Sequence, residues 1–91
     1  MIDITVQGIP CEFNETALDD FDMLENLASM EQGNITALVA FAKGIFGEEQ
    51  LANIKKSIRR DDGVCHLSDM NNFIGQAMAE AARVKKAEPK N

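Results

Sequence analysis

Between Ile35 and Phe46 the chain reads ITALVAFAKGIF, with apolar side chains at nine of twelve positions and only Thr36, Lys43 and Gly44 breaking the run. At the helical period these residues fall on nearly every side of the wheel, and a helix that is apolar all round is a buried one. The run is too short to cross a bilayer, which takes about 20 apolar residues, and it contains Lys43. Asn34 before it and Gly47 after it have the chemistry of an N-cap and a C-terminal stop. Everything else in the chain must therefore be arranged to cover this helix.

The covering material is limited. A chain of 91 residues buries roughly 60 to 65% of the surface its unfolded form exposes, which is enough for one domain of modest stability. With five Phe, five Met and neither Trp nor Tyr, the core is aliphatic and Phe-based, with Met filling irregular gaps. At the N-terminus Ile2, Ile4 and Val6 alternate with Asp3, Thr5 and Gln7, the period of a half-buried strand. Gln7-Gly8 reads as a turn and Cys11 to Phe13 as a short second strand. Pro10 places that strand at an edge. An isolated hairpin is marginal in water, so one face of this one must lie on helices.

Thr16 followed three residues later by Asp19 reads as a capping-box-like start to a helix over about 17–30, with Gly33 beyond its end. That helix carries two apolar ridges, Phe21/Leu24/Ala28 and Met23/Leu27/Met30, together covering about 240° where a surface helix needs about 100°. Both can pack inside the domain. The functional reading is that the Met ridge meets another chain, because Met suits adaptable binding surfaces. On that reading Met23, Leu27 and Met30 are the partner-binding residues and Asp19, Asp22 and Glu25 their acidic rim. Leu27→Asp then abolishes association and spares the helical content, whereas unfolding places the ridge in the core.

Glu48, Glu49 and Gln50 open a third helix with a narrow stripe of Leu51, Ile54 and Ile58. Asp61-Asp62-Gly63 forms a turn, and Ser68 is placed to cap a last helix with Met70, Phe73, Ile74, Ala77, Ala81 and Val84 on one face. From Lys85 the pattern stops, so the expected domain is 1–84 with a charged, frayed tail over 85–91. The fold class is mostly α (α+β): about four helices around the apolar one, with a short N-terminal β-hairpin.

Charge and motifs narrow the function classes. Residues 1–42 hold eight acids and no Lys or Arg, while residues 43–91 hold nine cations and seven acids, for a net charge of −6. That balance argues against nucleic acid, whose phosphates demand a positive footprint. Lys55, Lys56, Arg59 and Arg60 form a cluster that could serve a small regulatory nucleic-acid-binding protein, but no aromatics interleave it, and a solvated helix end or a contact with the acidic helix of a neighbouring copy suits it better. Cys11 and Cys65 are too far apart for a CxxC site and read as free thiols of a cytoplasmic protein; MIDITVQG has no signal-peptide pattern. Cys65 and His66 resemble a nucleophile and base, yet neighbours in an extended link point to opposite sides and no third residue is marked to orient the imidazole. One histidine and no paired ligands support no metal site, and no phosphate-binding loop is present. No cofactor and no enzymatic activity are expected.

The layout as a whole, with its hairpin, the acidic helix LDDFDMLENLASME, the apolar helix and then GEEQLANIKKSIRRDDGVCHLSDMNNFI, resembles the tail assembly chaperones of long-tailed bacteriophages and prophages. The similarity lies mainly in Leu18 to Met30 and Gly47 to Ile74, as a pattern of residue classes. It implies a non-enzymatic protein of the bacterial cytoplasm that coats the helical tape measure protein, recruits tail tube subunits and is absent from the finished virion. It also implies weak self-association along one client. The family often makes a longer product by frameshifting, and Lys85-Lys86 permits a slippery codon run. A different class, a small acidic adaptor or inhibitor docking on one host protein, also suits these features.

Overall fold

A computed structural model describes residues 1–87. Strands β1 (Ile2–Val6) and β2 (Ile9–Phe13) pair antiparallel, with Val6 opposite Ile9 and Ile2 opposite Phe13. The turn between them holds Gln7 at φ 53° and Gly8 at φ 78°, two successive positive values. A two-residue turn of that kind carries the twist the flanking strands require. The alternation read from the sequence holds: Ile2, Ile4, Val6, Cys11 and Phe13 are buried on one face.

The first helix begins later than expected. Asn14 accepts a hydrogen bond from the Thr16 amide and starts a short 3-10 turn over Glu15–Asp19. Asp20 then turns extended and caps α1 (Phe21–Glu31) by accepting from the Asp22 amide at 2.9 Å. The Thr16/Asp19 capping box is not used: Asn14 takes the Thr16 amide that Asp19 would have accepted from, and Asp20 caps α1 instead.

The apolar helix α2 (Ile35–Phe46) has the bounds read from the sequence, with Asn34 accepting from the Ala37 amide at 3.1 Å. Its C-terminal end shows how the fold is tied together. The last four carbonyls of a helix have no partner within it. Here the amide of Gly47 donates to Lys43 (2.8 Å), the Asn14 side chain to Gly44 (3.3 Å), the Asn14 amide to Ile45 (2.9 Å) and Gln50 Nε2 to Phe46 (3.1 Å). Gly47 links α2 directly to α3 (Glu48–Ile58), on which Leu51 and Ile54 are buried and Ile58 half-buried. Gln50 reaches further, accepting from the Glu12 amide (2.7 Å) and donating to the Glu12 carbonyl (2.6 Å) on the outer side of β2.

The last helix, α4, runs Leu67–Ala87. Ser68 lies inside its first turn and is not its cap; the first intrahelical bond runs from the Met70 amide to the His66 carbonyl at 3.1 Å. The helix also continues past Val84, where the apolar pattern stops, so the expected boundary at Lys85 is not a structural one. The part of the expected tail over 88–91 lies outside the described residues. Met70, Phe73, Ile74, Ala77 and Ala81 are buried as expected, and β1 lies along this face. The core thus sits between the hairpin, α2, α3 and α4, and the mostly α fold with an N-terminal hairpin is the one the chain adopts. Phe46 stands at its middle, edge-on to Phe13 (ring centroids 6.4 Å, 90°) and to Phe73 (5.9 Å, 61°).

α1 packs along α2 at a close approach. A Cβ added at Gly44 would lie 2.2 Å from Met23 Cε and 2.6 Å from its Sδ. Gly44→Ala therefore couples two opposed effects: about 1 kcal/mol of helix propensity gained and a similar loss as the thioether swings out of its partly buried seat. The single variant is expected to be near neutral. In a Met23→Ala background the clash is gone, and the same substitution is expected to stabilise by about 1 kcal/mol. A double-mutant cycle by urea unfolding measures the difference, and additive effects would disprove the contact.

Candidate partner-binding surface

Met23, Leu27 and Met30, the ridge expected to meet another chain, are half-buried and pack against the core. The placement is the reverse of the expectation. Phe21 is 76% and Leu24 42% exposed, and Ala28 beside them is exposed. Asp19, Asp22 and Glu25 are exposed as expected, but with Asp20 they border Phe21 and Leu24. The two ridges are equally apolar in sequence; on the inward side Gly44 leaves room that the Met23 side chain fills.

α2 departs from expectation in a second way. Six of its residues are buried, but Ile35 is 57% and Val39 45% exposed. These two lie one turn apart, and Lys43 lies one turn further on the same ridge. The helix's one charge marked its solvent side in the sequence, and that mark outweighs the apolar count.

Beside this ridge is an apolar groove of about 250 Å³. Ile35, Leu38, Val39 and Ala42 of α2 form one wall. Leu51 of α3, Cys65 of the connection that follows it, and Leu67 and Met70 of α4 form the other, with Lys43 and Lys55 also lining it. Lys43 lies 3.8 Å from Glu48, an exposed pair of small energetic weight. Leu67, on the far wall, is 47% exposed.

The connection that brings Cys65 and Leu67 to the groove is held by polar contacts. Arg60 makes a bidentate pair with Asp69 (2.8 and 3.0 Å), its amide donates to the Val64 carbonyl, and Arg59 donates to the Gly63 carbonyl at 3.0 Å. Asp62 accepts from the Val64 amide (2.9 Å) and sits 2.7 Å from His66 Nε2. The hydrogen bond from Arg60 holds the Asp69 carboxyl below the usual carboxylate range, and that with His66, followed by the Val64 amide, does the same for Asp62. Because both values are lowered, the support these carboxylates give the turn is present above the ordinary carboxylate range and is lost as pH falls through the lowered ones.

No match to this chain is found among protein-family models, characterised proteins or solved structures.

Asp62 does orient His66, which the sequence reading did not foresee. No hydrogen bond joins His66 to Cys65 among the described residues, and Cys65 faces the groove. The pair closes a turn. Two of the four cations at the end of α3 are likewise committed locally, Arg60 to Asp69 and Arg59 to a backbone carbonyl, leaving Lys55 and Lys56 as the solvated part of the cluster. Among the described residues no group of three or more His, Cys, Asp or Glu side chains is placed to hold a metal, and no helix is long and apolar enough to cross a membrane.

Proposed function

We propose that the protein is a non-enzymatic tail assembly chaperone that binds the tape measure protein, and with it tail tube subunits, during phage tail morphogenesis. The observation that supports this reading is the groove between α2 and the α3/α4 wall. Eight of its ten lining residues are apolar and the other two are Lys43 and Lys55, a composition that suits one face of an amphipathic client helix. A long helical rod offers such faces repeatedly, so one small groove per copy is enough for many copies to coat it and keep it soluble. The contact is small, and its strength comes from number more than from area.

Co-expression of the tagged chain with its native gene cluster, followed by mass spectrometry of what co-purifies, tests the proposal. A long, heptad-rich protein recovered together with a tail tube protein is the expected result. Val39→Asp, which puts a charge into the groove wall without opening the core, is expected to reduce that recovery at least tenfold. Capture of one globular protein in a one-to-one complex would replace the chaperone reading with that of an adaptor or inhibitor.

A further inference from the structure

The register of the hairpin fixes which way each backbone group of β1 points. A two-residue turn makes the flanking residues Val6 and Ile9 a hydrogen-bonded pair, and such pairs alternate along an antiparallel ladder. Ile4 with Cys11 and Ile2 with Phe13 are therefore hydrogen-bonded too, whereas Asp3, Thr5, Pro10 and Glu12 direct their backbone groups outward. Two observations agree with this parity: Pro10 has no N–H to give the ladder, and both backbone groups of Glu12 are met from outside by Gln50. On the far side of the hairpin the N–H and C=O groups of Asp3 and Thr5 point away from β2, and no group among the described residues bonds to them. Both residues are exposed.

The solvent face beside this edge lacks a cation. Asp3 stands directly opposite Glu12 in a non-hydrogen-bonded pair, where side chains approach most closely, and like charges so placed are destabilising. Both are exposed, neither has an ion pair among the described residues, and residues 1–42 contain no Lys or Arg. We infer that the outer edge of β1 is a docking site for an extended basic segment of a partner protein, which adds as a third strand with a Lys or Arg opposite Asp3. Main-chain bonds to Asp3 and Thr5 supply the attachment and the cation opposite Asp3 supplies the choice of partner. In the antiparallel register the segment reads Thr-Val-Lys: Thr opposite Thr5, Val opposite Ile4 on the core side, Lys opposite Asp3. A second copy of the chain does not meet this requirement, because its own β1 brings another Asp3 to a face that already holds two carboxylates. No residue of β1 lines the groove beside α2, so this site does not depend on the client reading.

Amide hydrogen exchange followed by NMR tests the edge in the free chain, where Asp3 and Thr5 are expected to exchange fast and Ile4 and Val6 slowly. The probe for docking is the blocked peptide acetyl-Thr-Val-Lys-Val-Lys-amide, for which a dissociation constant on the order of 1 mM is expected. Its binding is expected to slow exchange at Asp3 and Thr5 and to move their amide resonances more than those of the α2 groove. The same peptide N-methylated at the residues opposite Asp3 and Thr5 keeps its charge and loses its donors, and is expected to bind at least fivefold more weakly. Asp3→Lys, at an exposed site that leaves circular dichroism unchanged, is expected to lose the Lys peptide and to accept its Glu counterpart, which wild type refuses. Asp3→Asn is a second variant should Asp3→Lys disturb the hairpin, and it is expected to bind the Lys and Glu peptides alike. Concentration-independent protection of Asp3 and Thr5 in the free chain would mean the edge is already covered and overturns the inference. Protection that grows with concentration assigns the edge to a second copy and overturns it too. Equal binding of the methylated peptide, no binding of the Lys peptide, shifts centred on the groove, or indifference to the charge swap does the same.

Discussion

Phe46→Ala is expected to cost about 4 kcal/mol of folding stability, the largest effect of any single truncation discussed for this chain. Phe46 is the last residue of α2, and its ring lies edge-on to Phe13 of β2 and Phe73 of α4. Its removal opens a cavity where three elements from distant parts of the sequence meet, and it deletes two edge-to-face contacts, each contributing about 0.5 to 1.5 kcal/mol beyond area burial. A domain of this length has roughly 5 to 14 kcal/mol in total, so the variant keeps little margin. Phe46→Leu refills much of the volume without the ring edges and is expected to cost about 1.5 kcal/mol. Urea unfolding followed by far-ultraviolet circular dichroism separates the two. A loss for Phe46→Ala below about 1.5 kcal/mol would mean the three rings do not form the keystone the geometry makes of them.

The same substitution three residues apart on α1 is expected to give opposite outcomes. Leu27→Asp places a carboxylate on the side packed against the core and is expected to destabilise by about 3 kcal/mol. Leu24→Asp adds a charge to a side chain already in water and is expected to change stability by no more than about 0.5 kcal/mol. If Leu27→Asp unfolded at the wild-type urea concentration, the inward placement of the Met ridge would be wrong, and Met23, Leu27 and Met30 would return as the contact surface.

What was legible in the sequence rested on local pattern. The hairpin alternation, the Gln7-Gly8 turn, the bounds of α2 between Asn34 and Gly47, and the buried face of α4 each depend on residues within a few positions of one another. The rotation of α1 does not. Its two ridges are equally apolar, and the inward one meets residues of another helix, among them Gly44, beside which Met23 packs. The start of α1 was misplaced for a related reason: Asn14 and Asp20 are as able to cap as Thr16, and Asn14 is held where it is by the far end of α2. The groove went unread because nine apolar residues in α2 suggested burial on all sides. Lys43, one turn beyond Val39 and two beyond Ile35, carried the contrary information. His66 looked unpartnered because Asp62 reaches it only once the turn over 61–63 has folded.

Gln50 has a consequence for the outer edge of the hairpin. An unpaired strand edge is a template any extended chain can join. At the outer side of β2 the Gln50 amide both accepts from and donates to Glu12, taking up the pair of backbone groups a foreign strand would need first. With that place occupied, joining through β2 requires breaking two short hydrogen bonds before any is made. The hairpin thus ends on the α3 side in a closed edge, made by one side chain of a helix that follows it by more than thirty residues.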